Sequence, residues 1–205
     1  MQNEGATLGS VATAAPRLHY TFADYLRHEA ASDDKHEYVA GLILAMAGGT
    51  LEHGALASAV IVALGNQLRG RPCRVFDSDA RVRVKASGNA YYPDASVVCD
   101  ALETQPEDPD SMLNPAILVE VLSPSTIEYD QGEKLLDYQR IASLRHVVHV
   151  AHDEKRIDVF SREAEQWVKA SFGPAQRAPL DAMQIWLDVD EIYRNPLASS
   201  NTRAD

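Results

Sequence analysis

The stretch that decides the fold runs from Tyr91 to Lys134 and reads YYPDASVVCD (91–100), ILVEVLSPST (117–126) and DQGEK (130–134), with an acidic linker after the first string. Two apolar runs each carry one carboxylate: Asp94 opens the first, and Glu120 lies inside the second. A buried carboxylate without a partner is costly, so such a residue usually has a cation beside it or a function. We therefore interpret Asp94 and Glu120 as the ligands of a divalent metal ion.

The chain around this stretch predicts an α/β fold with strands of mixed direction. Residues 116–122 are almost continuously apolar, which is typical of a central strand covered on both faces. Residues 51–69 have apolar side chains at helical spacing, and Asp130 is predicted to cap a later helix that runs to about Ile141. The other predicted elements are a helix from Thr21 to about Ala31, a hairpin turning at Gly41, strands at 73–76, 81–85, 95–99, 146–151, 156–160 and 166–172, and a last short helix at 186–193.

Length and composition predict one domain. The 205 residues suffice for a full core, and we expect a domain over 17–195 between a disordered tail at 1–16 and a flexible tail at 196–205. No apolar run is long enough to span a membrane, and the first 16 residues do not have the pattern of a signal peptide. Cys73 and Cys99 have no Cys-x-x-Cys spacing, so they fit a reducing cytoplasm better than a disulfide or a zinc site.

The net charge of −11 opposes nucleic-acid binding at long range. The charge is uneven, however, because residues 100–110 hold five acids and no base, while basic residues crowd a neighbouring segment. Those residues are Arg69, Arg71, Arg74, Arg81, Arg83 and Lys85. The basic side chains of the 81–85 strand are expected on the face opposite Val82 and Val84, where they are most often solvated. The charge therefore argues against DNA as a partner without excluding it.

The positions of the two acids suggest a chemistry. Asp94 stands where one strand begins and Glu120 towards the end of the next, so antiparallel pairing would bring them together. Carboxylates are hard oxygen ligands that suit Mg²⁺ or Mn²⁺, and such a metal polarises a phosphoryl oxygen and lowers the pKa of a bound water. Lys134 could bring an ammonium to the same place, to orient the attacking water or neutralise phosphate charge.

These residues also resemble a known motif. Pro93 and Asp94, followed by Glu120 on the next core strand, resemble the PD-(D/E)xK motif of the restriction-endonuclease-like nucleases. The longer strings, with HEYVAGLILAMAGGT (36–50) and FDSDARVRV (76–84) upstream, are similar to a branch of uncharacterised bacterial proteins grouped as restriction endonucleases. The resemblance covers about residues 21–160. It implies a mixed central β-sheet flanked by helices, an extra N-terminal hairpin, added C-terminal strands, and metal-dependent cleavage of DNA.

The chain departs from the general motif at one position. Leu122 stands where the motif has lysine, and the resemblance implies that Lys134 on the following helix replaces it. By the same likeness Glu37 is an accessory acid that acts as a lesser ligand or base. Further accessory candidates implied by the resemblance are His53, Asp79 and Ser123.

Each of these residues also has a purely structural interpretation. Asp94, taken alone, could be a turn residue at the start of a strand. Glu120 could belong to a purely structural ion pair, and Lys134 could be an ordinary solvated residue of a helix. His146, His149 and His152 do not indicate a zinc site, because a strand would turn His149 to the opposite face.

The rival to a nuclease is a catalytically silent nucleic-acid- or protein-binding module that keeps the fold, and a third hypothesis is hydrolysis of a small phosphorylated molecule. A homodimer is expected, since closed pairs dominate soluble assemblies.

Overall fold

The structure is a computed structural model that describes residues 19–46, 48–124 and 126–197. The tail predicted at 1–16 lies outside these residues, as do positions 198–205 of the predicted C-terminal tail. No helix in the described part of the chain is both long and apolar enough to cross a membrane.

The N-terminal part forms a capped helix and a hairpin, as predicted. Helix α1 (Phe22–Ala30) begins with a capping box, in which Oγ1 of Thr21 accepts the Asp24 N–H and the Asp24 carboxylate accepts the Thr21 N–H. Strands β1 (His36–Val39) and β2 (Leu42–Ala45) pair antiparallel across Ala40 and Gly41. Both turn residues have positive φ, 48° and 82°, which is the conformation that a two-residue hairpin loop requires.

Helix α2 (Leu51–Gln67) is the long helix that the sequence predicts. Thr50 caps it, and Leu56, Val60 and Leu64 are buried on one side. The remaining elements follow in chain order. They are β3 (Cys73–Asp77), β4 (Arg81–Arg83), β5 (Ala90–Tyr91), β6 (Ala95–Cys99), β7 (Ser111–Met112), β8 (Ile117–Leu122), α3 (Ile127–Tyr129), a π-helical segment (Asp130–Lys134), α4 (Leu135–Tyr138), β9 (His146–Ala151), β10 (Ile157–Glu163), β11 (Gln166–Phe172), β12 (Arg177–Leu180), a 3-10 helical turn (Asp181–Met183), β13 (Ile185–Asp188) and α5 (Val189–Ile192).

The central sheet has six strands in the order β11-β10-β9-β8-β6-β3. Strands β8 and β9 are parallel and the other pairs are antiparallel, so the predicted mixed sheet is confirmed. One face packs Val119 and Val121 against α2, while the other packs Leu118 into a second core with Val82 and Tyr138. A five-stranded sheet, β2-β1-β5-β4-β7, carries the N-terminal hairpin. Every residue of β8 is buried, which explains its continuous apolar pattern.

The structure corrects the helix predicted after β8. The N–H of Asp130 bonds to the carbonyl of Thr126, so Asp130 lies inside a helical run that begins at Ile127 and cannot cap it. The run passes through a π-helical turn, with a non-helical Gly132, before it continues as α4. Asp130, which the sequence pattern predicted as a helix cap, is buried. At the C-terminus, the predicted helix at 186–193 is a strand, β13, followed by the short α5.

Two further expectations are wrong. Cys73 and Cys99 form a disulfide, because the antiparallel pairing of β3 with β6 places them directly opposite each other. Arg81 is also not solvated. Its guanidinium is buried and pairs with Asp108, a buried residue of the acidic linker. Both pairings are contacts between residues far apart in the sequence, which local pattern does not reveal.

Candidate active site

The pairing of β6 with β8 brings the two sequence-predicted acids to the same level of the central sheet. Ala95 lies opposite Val119 in this antiparallel pair, so Asp94 reaches the level of Glu120. Oδ2 of Asp94 accepts the main-chain N–H of Val121 at 2.7 Å, which fixes the carboxylate beside β8. The expectation that antiparallel pairing brings Asp94 and Glu120 together agrees with this register.

Lys134 lies inside a group of acids. Its Nζ is 2.9 Å from Oε1 of Glu37, 2.9 Å from Oε1 of Glu120 and 3.6 Å from Oδ1 of Asp130. All four side chains are at most 8% exposed. The interpretation of Lys134 as an ordinary solvated residue is therefore wrong. The π-helical turn explains the arrangement, since it directs both Asp130 and Lys134 inwards from one short segment.

Two tyrosines donate hydrogen bonds to the acids of this group. The hydroxyl of Tyr138 donates to Oε1 of Glu120 at 2.7 Å, and the hydroxyl of Tyr129 donates to Oε2 of Glu37 at 3.2 Å. Glu37 comes from β1 of the N-terminal hairpin, so the group joins both sheets and the helical run. Sequence reasoning missed Asp130 and the two tyrosines as members of this site. The spacing of Asp130 and Lys134, one helical turn apart, was the available signal.

Burial and the neighbouring charges shift the pKa values of Glu120 and Lys134. Burial raises the pKa of Glu120 above its ordinary 4.5, while the Lys134 ammonium opposes this shift and favours the ionised carboxylate. Burial alone would lower the pKa of Lys134, but the carboxylates of Glu120, Glu37 and Asp130 outweigh it and raise that pKa well above its ordinary value. Lys134 is therefore protonated at neutral pH, and its buried ammonium lies among several acids.

His53 joins the site from the first turn of α2. Its Nε2 lies 3.3 Å from Oδ2 of Asp94, and this contact raises the pKa of His53. Gly49 leaves the space that the ring occupies, because a Cβ there would come 2.8 Å from Nδ1 of His53. The accessory candidate His53 thus contacts one of the two predicted ligands.

The other two accessory candidates lie differently. Asp79 is exposed and pairs with Lys35 at 2.7 Å, so it is held away from the buried acids. Ser123 follows β8 directly, and its Oγ lies 2.9 Å from Oγ1 of Thr126. This contact helps to shape the turn that leads from β8 into the helical run, where Asp130 and Lys134 are located.

The donor atoms of the site fit a hard divalent cation. The described partners of Asp94 contact Oδ2, and those of Glu120 contact Oε1. Oδ1 of Asp94 and Oε2 of Glu120 therefore accept no hydrogen bond from the described residues. Within those residues no group of three or more His, Cys, Asp or Glu side chains is arranged to hold a metal. Mg²⁺ is commonly held by one or two carboxylates with water in the other positions, so two ligands suffice.

A mixed sheet flanked by helices, with the acid pair on adjacent strands, defines the restriction-endonuclease-like class. The chain belongs to the Uma2 family, whose model is described as "Putative restriction endonuclease" and matches residues 22–190. The family assignment and the fold therefore confirm the resemblance that the sequence motifs indicated.

Two proteins of Synechocystis and one solved structure are similar to this chain. The chain is 32% identical over 175 residues to the uncharacterised protein slr1290 of Synechocystis, a match that covers 83% of this chain and 90% of the relative. A second uncharacterised Synechocystis protein, sll1609, is 26% identical over 149 residues, covering 72% and 84%. The fold is similar to a crystal structure from Anabaena variabilis described as "a putative nuclease belonging to DUF820". The TM-score is 0.69 at 17% identity, over 84% of this chain and 97% of the other.

Proposed function

We propose that this chain is a metal-dependent nuclease that hydrolyses phosphodiester bonds in DNA. Asp94 and Glu120 would hold Mg²⁺ or Mn²⁺, and Lys134 would supply the positive charge beside them. The observation that carries this proposal is the 2.9 Å contact between Nζ of Lys134 and Glu120. A lysine more than about 6 Å from the carboxylates would have favoured a silent binding module, because charge coupling fades over that range.

The residues have separate roles in this proposal. The Lys134 ammonium, kept protonated by its acids, donates to the attacking water or to a phosphate oxygen as negative charge develops. Glu37 and Asp130 hold that ammonium in place, and the Tyr138 hydroxyl fixes Oε1 of Glu120. A bound Mg²⁺ or Mn²⁺ supplies Lewis-acid polarisation of the phosphoryl group and a more acidic water.

DNA is the substrate that the family description suggests, but the net charge of −11 opposes it. Binding would then depend on local basic surface and on the metal, and it should weaken steeply with salt. The homodimer and the cytoplasmic location stay predictions from the sequence. The Cys73–Cys99 disulfide argues against a cytoplasmic location, because disulfides are more usual in oxidising compartments.

The decisive experiment is a cleavage assay with the full chain after removal of bound metal by EDTA. Supercoiled plasmid, linear duplex, single-stranded DNA and RNA are each incubated with Mg²⁺, Mn²⁺ or no metal. We expect metal-dependent cleavage of DNA that is lost in Asp94→Asn and Glu120→Gln. The matched control is Glu103→Gln, which removes an exposed acid paired with Lys85 and should retain activity.

Other outcomes identify the rivals. If no nucleic acid is cut with either metal, and Asp94→Ala leaves metal affinity unchanged, the proposal fails and the silent binding module is favoured. Cleavage of a small phosphodiester such as bis-p-nitrophenyl phosphate, without cleavage of nucleic acid, would instead favour hydrolysis of a small phosphorylated molecule.

A further inference from the structure

Two histidines meet outside the candidate active site, between α1 and β1. Nε2 of His28 lies 3.3 Å from Nε2 of His36. The rings meet edge to face, at 77° with centroids 4.5 Å apart. Imidazole nitrogen is a common ligand of transition metals, so two ring nitrogens at this separation suggest a metal site.

Glu29 fixes the tautomer of one of the two rings. Oε2 of Glu29 lies 3.1 Å from Nδ1 of His36, and the same carboxylate accepts the main-chain N–H of His36. Tyr92 also donates its hydroxyl to Glu29, at 2.8 Å. Because a carboxylate accepts, the proton belongs on Nδ1 of the neutral His36 ring, and its Nε2 presents a lone pair towards His28. A carboxylate behind a histidine is the usual outer support of a metal ligand.

A cavity gives access to this pair. Its volume is about 490 Å³, and both histidine rings line it together with Tyr20, Asp24, Ile43 and Ala45. None of these residues belongs to the candidate active site. Asp24 is engaged by its capping box with Thr21 and by Arg27, so it is not counted as a ligand. Solvent in the cavity can fill the positions that the protein leaves open.

We infer that His28 and His36 form a binding site for a divalent transition metal of the Zn²⁺ or Ni²⁺ class. Two nitrogens bound tetrahedrally at the usual 2.0–2.1 Å are about 3.3–3.4 Å apart, and the two Nε2 atoms already have that separation. Imidazole favours Zn²⁺ and Ni²⁺, whereas the oxygen ligands of Asp94 and Glu120 favour Mg²⁺ or Mn²⁺. With two protein ligands the ion exchanges with solvent.

An ion at this place would join α1 to the hairpin. His36 directly precedes Glu37, which contacts Lys134, so the ion would stabilise the strand that supplies this acid to the candidate active site. Since the site requires the folded arrangement of α1 and β1, binding should raise the midpoint of thermal unfolding.

The test uses the full chain, treated with EDTA and then kept in excess Mg²⁺, so that Mg²⁺ already occupies the proposed site at Asp94 and Glu120. Zn²⁺ is titrated in by calorimetry, and thermal unfolding is followed with and without Zn²⁺. We expect binding and a raised unfolding midpoint in the unchanged chain. In His28→Gln the affinity should fall at least tenfold and the midpoint shift should vanish. His28 lies on the exposed side of α1 and glutamine is a good helix former, so the variant should fold.

His53→Gln is the matched control, because it removes the histidine of the candidate active site and should retain Zn²⁺ binding. The inference is overturned if His28→Gln binds Zn²⁺ as the unchanged chain does, or if His53→Gln alone abolishes binding. A crystal soaked in Zn²⁺ gives a second measurement. An anomalous peak between the two Nε2 atoms supports the site, and a peak only at Asp94 contradicts it.

Discussion

The ammonium of Lys134 lies 2.9 Å from Oε1 of Glu120 and comes from the π-helical segment after β8, not from β8 itself. The lysine of the PD-(D/E)xK motif would stand at the position of Leu122. Side chains two residues apart on a strand point to the same face, so a lysine there would reach the face of Glu120. The helical segment brings an ammonium to that same carboxylate. In the proposed site the ammonium therefore comes from a later segment of the chain than in the motif, and it contacts the same acid.

Replacing Lys134 should destabilise the whole fold. Lys134→Met leaves Glu37, Glu120 and Asp130 buried without their cation, and breaking a buried ion pair from one side costs about 3–5 kcal/mol. Urea denaturation measures the free energy of unfolding. Glu37→Gln in the same chain should recover part of the loss, because one uncompensated acid is removed.

The control for this prediction is Lys85→Met. Lys85 pairs with Glu103 at the surface, where such pairs contribute less than about 1 kcal/mol. Equal losses in the two lysine variants would contradict a buried, cation-dependent site.

His53 should affect metal affinity without being a ligand. It contacts Oδ2 of Asp94, the oxygen that also accepts the Val121 N–H, and thereby leaves Oδ1 to face a metal. Removing such an outer partner typically costs 10–100-fold in metal affinity. We expect His53→Gln to weaken Mn²⁺ binding by about that factor, measured by calorimetry. His152→Gln is the control, since His152 contacts Thr50 at the same end of α2. Unchanged Mn²⁺ affinity in His53→Gln would show that this contact does not matter.

The sequence predicted those parts of the molecule that depend on local pattern. The apolar run of β8 predicted a covered central strand, in which Glu120 is buried, and the Pro-Asp pair predicted a strand start that places Asp94 at the level of Glu120. Asp130 was misassigned because an acid before a helical pattern is a normal cap, whereas the helical run begins three residues earlier, at Ile127. The Cys73–Cys99 disulfide depends on strand register across the sheet, which no local spacing contains. Structure was needed wherever partners come from distant segments.

The disulfide should contribute measurably to stability. It closes a loop over a sequence separation of 26 and ties the edge strand β3 to β6. Loop-closure entropy for that length corresponds to about 3.5 kcal/mol, before any strain in the folded state. We expect dithiothreitol to lower the free energy of unfolding in urea by up to that amount. A Cys73→Ser, Cys99→Ser double variant should resemble the reduced chain and should not respond to dithiothreitol. A wild-type chain that is equally stable with and without the reductant would contradict this prediction.

His149 should make stability fall at mildly acidic pH. Its ring is 1% exposed, packs edge to face on Phe160, and neither ring nitrogen makes a hydrogen bond with any described residue. Burial lowers its pKa from 6.5 to about 4. Between these values the unfolded chain binds a proton that the folded chain does not, so the free energy of unfolding falls as the pH is lowered from 6.5 to 4. Over this pH range the loss in the free energy of unfolding amounts to about 3 kcal/mol.

The variant His149→Met removes this titration, because it replaces the imidazole with an apolar side chain of similar size. Because a buried group without hydrogen bonds is lost, the variant should be at least as stable as the unchanged chain at pH 7. Its advantage should then grow as the pH is lowered towards 4, since only the unchanged chain has to protonate His149 on unfolding. Urea denaturation of both proteins at several pH values between 7 and 4 gives the difference directly. If the two free energies run parallel over this range, His149 is not the group responsible.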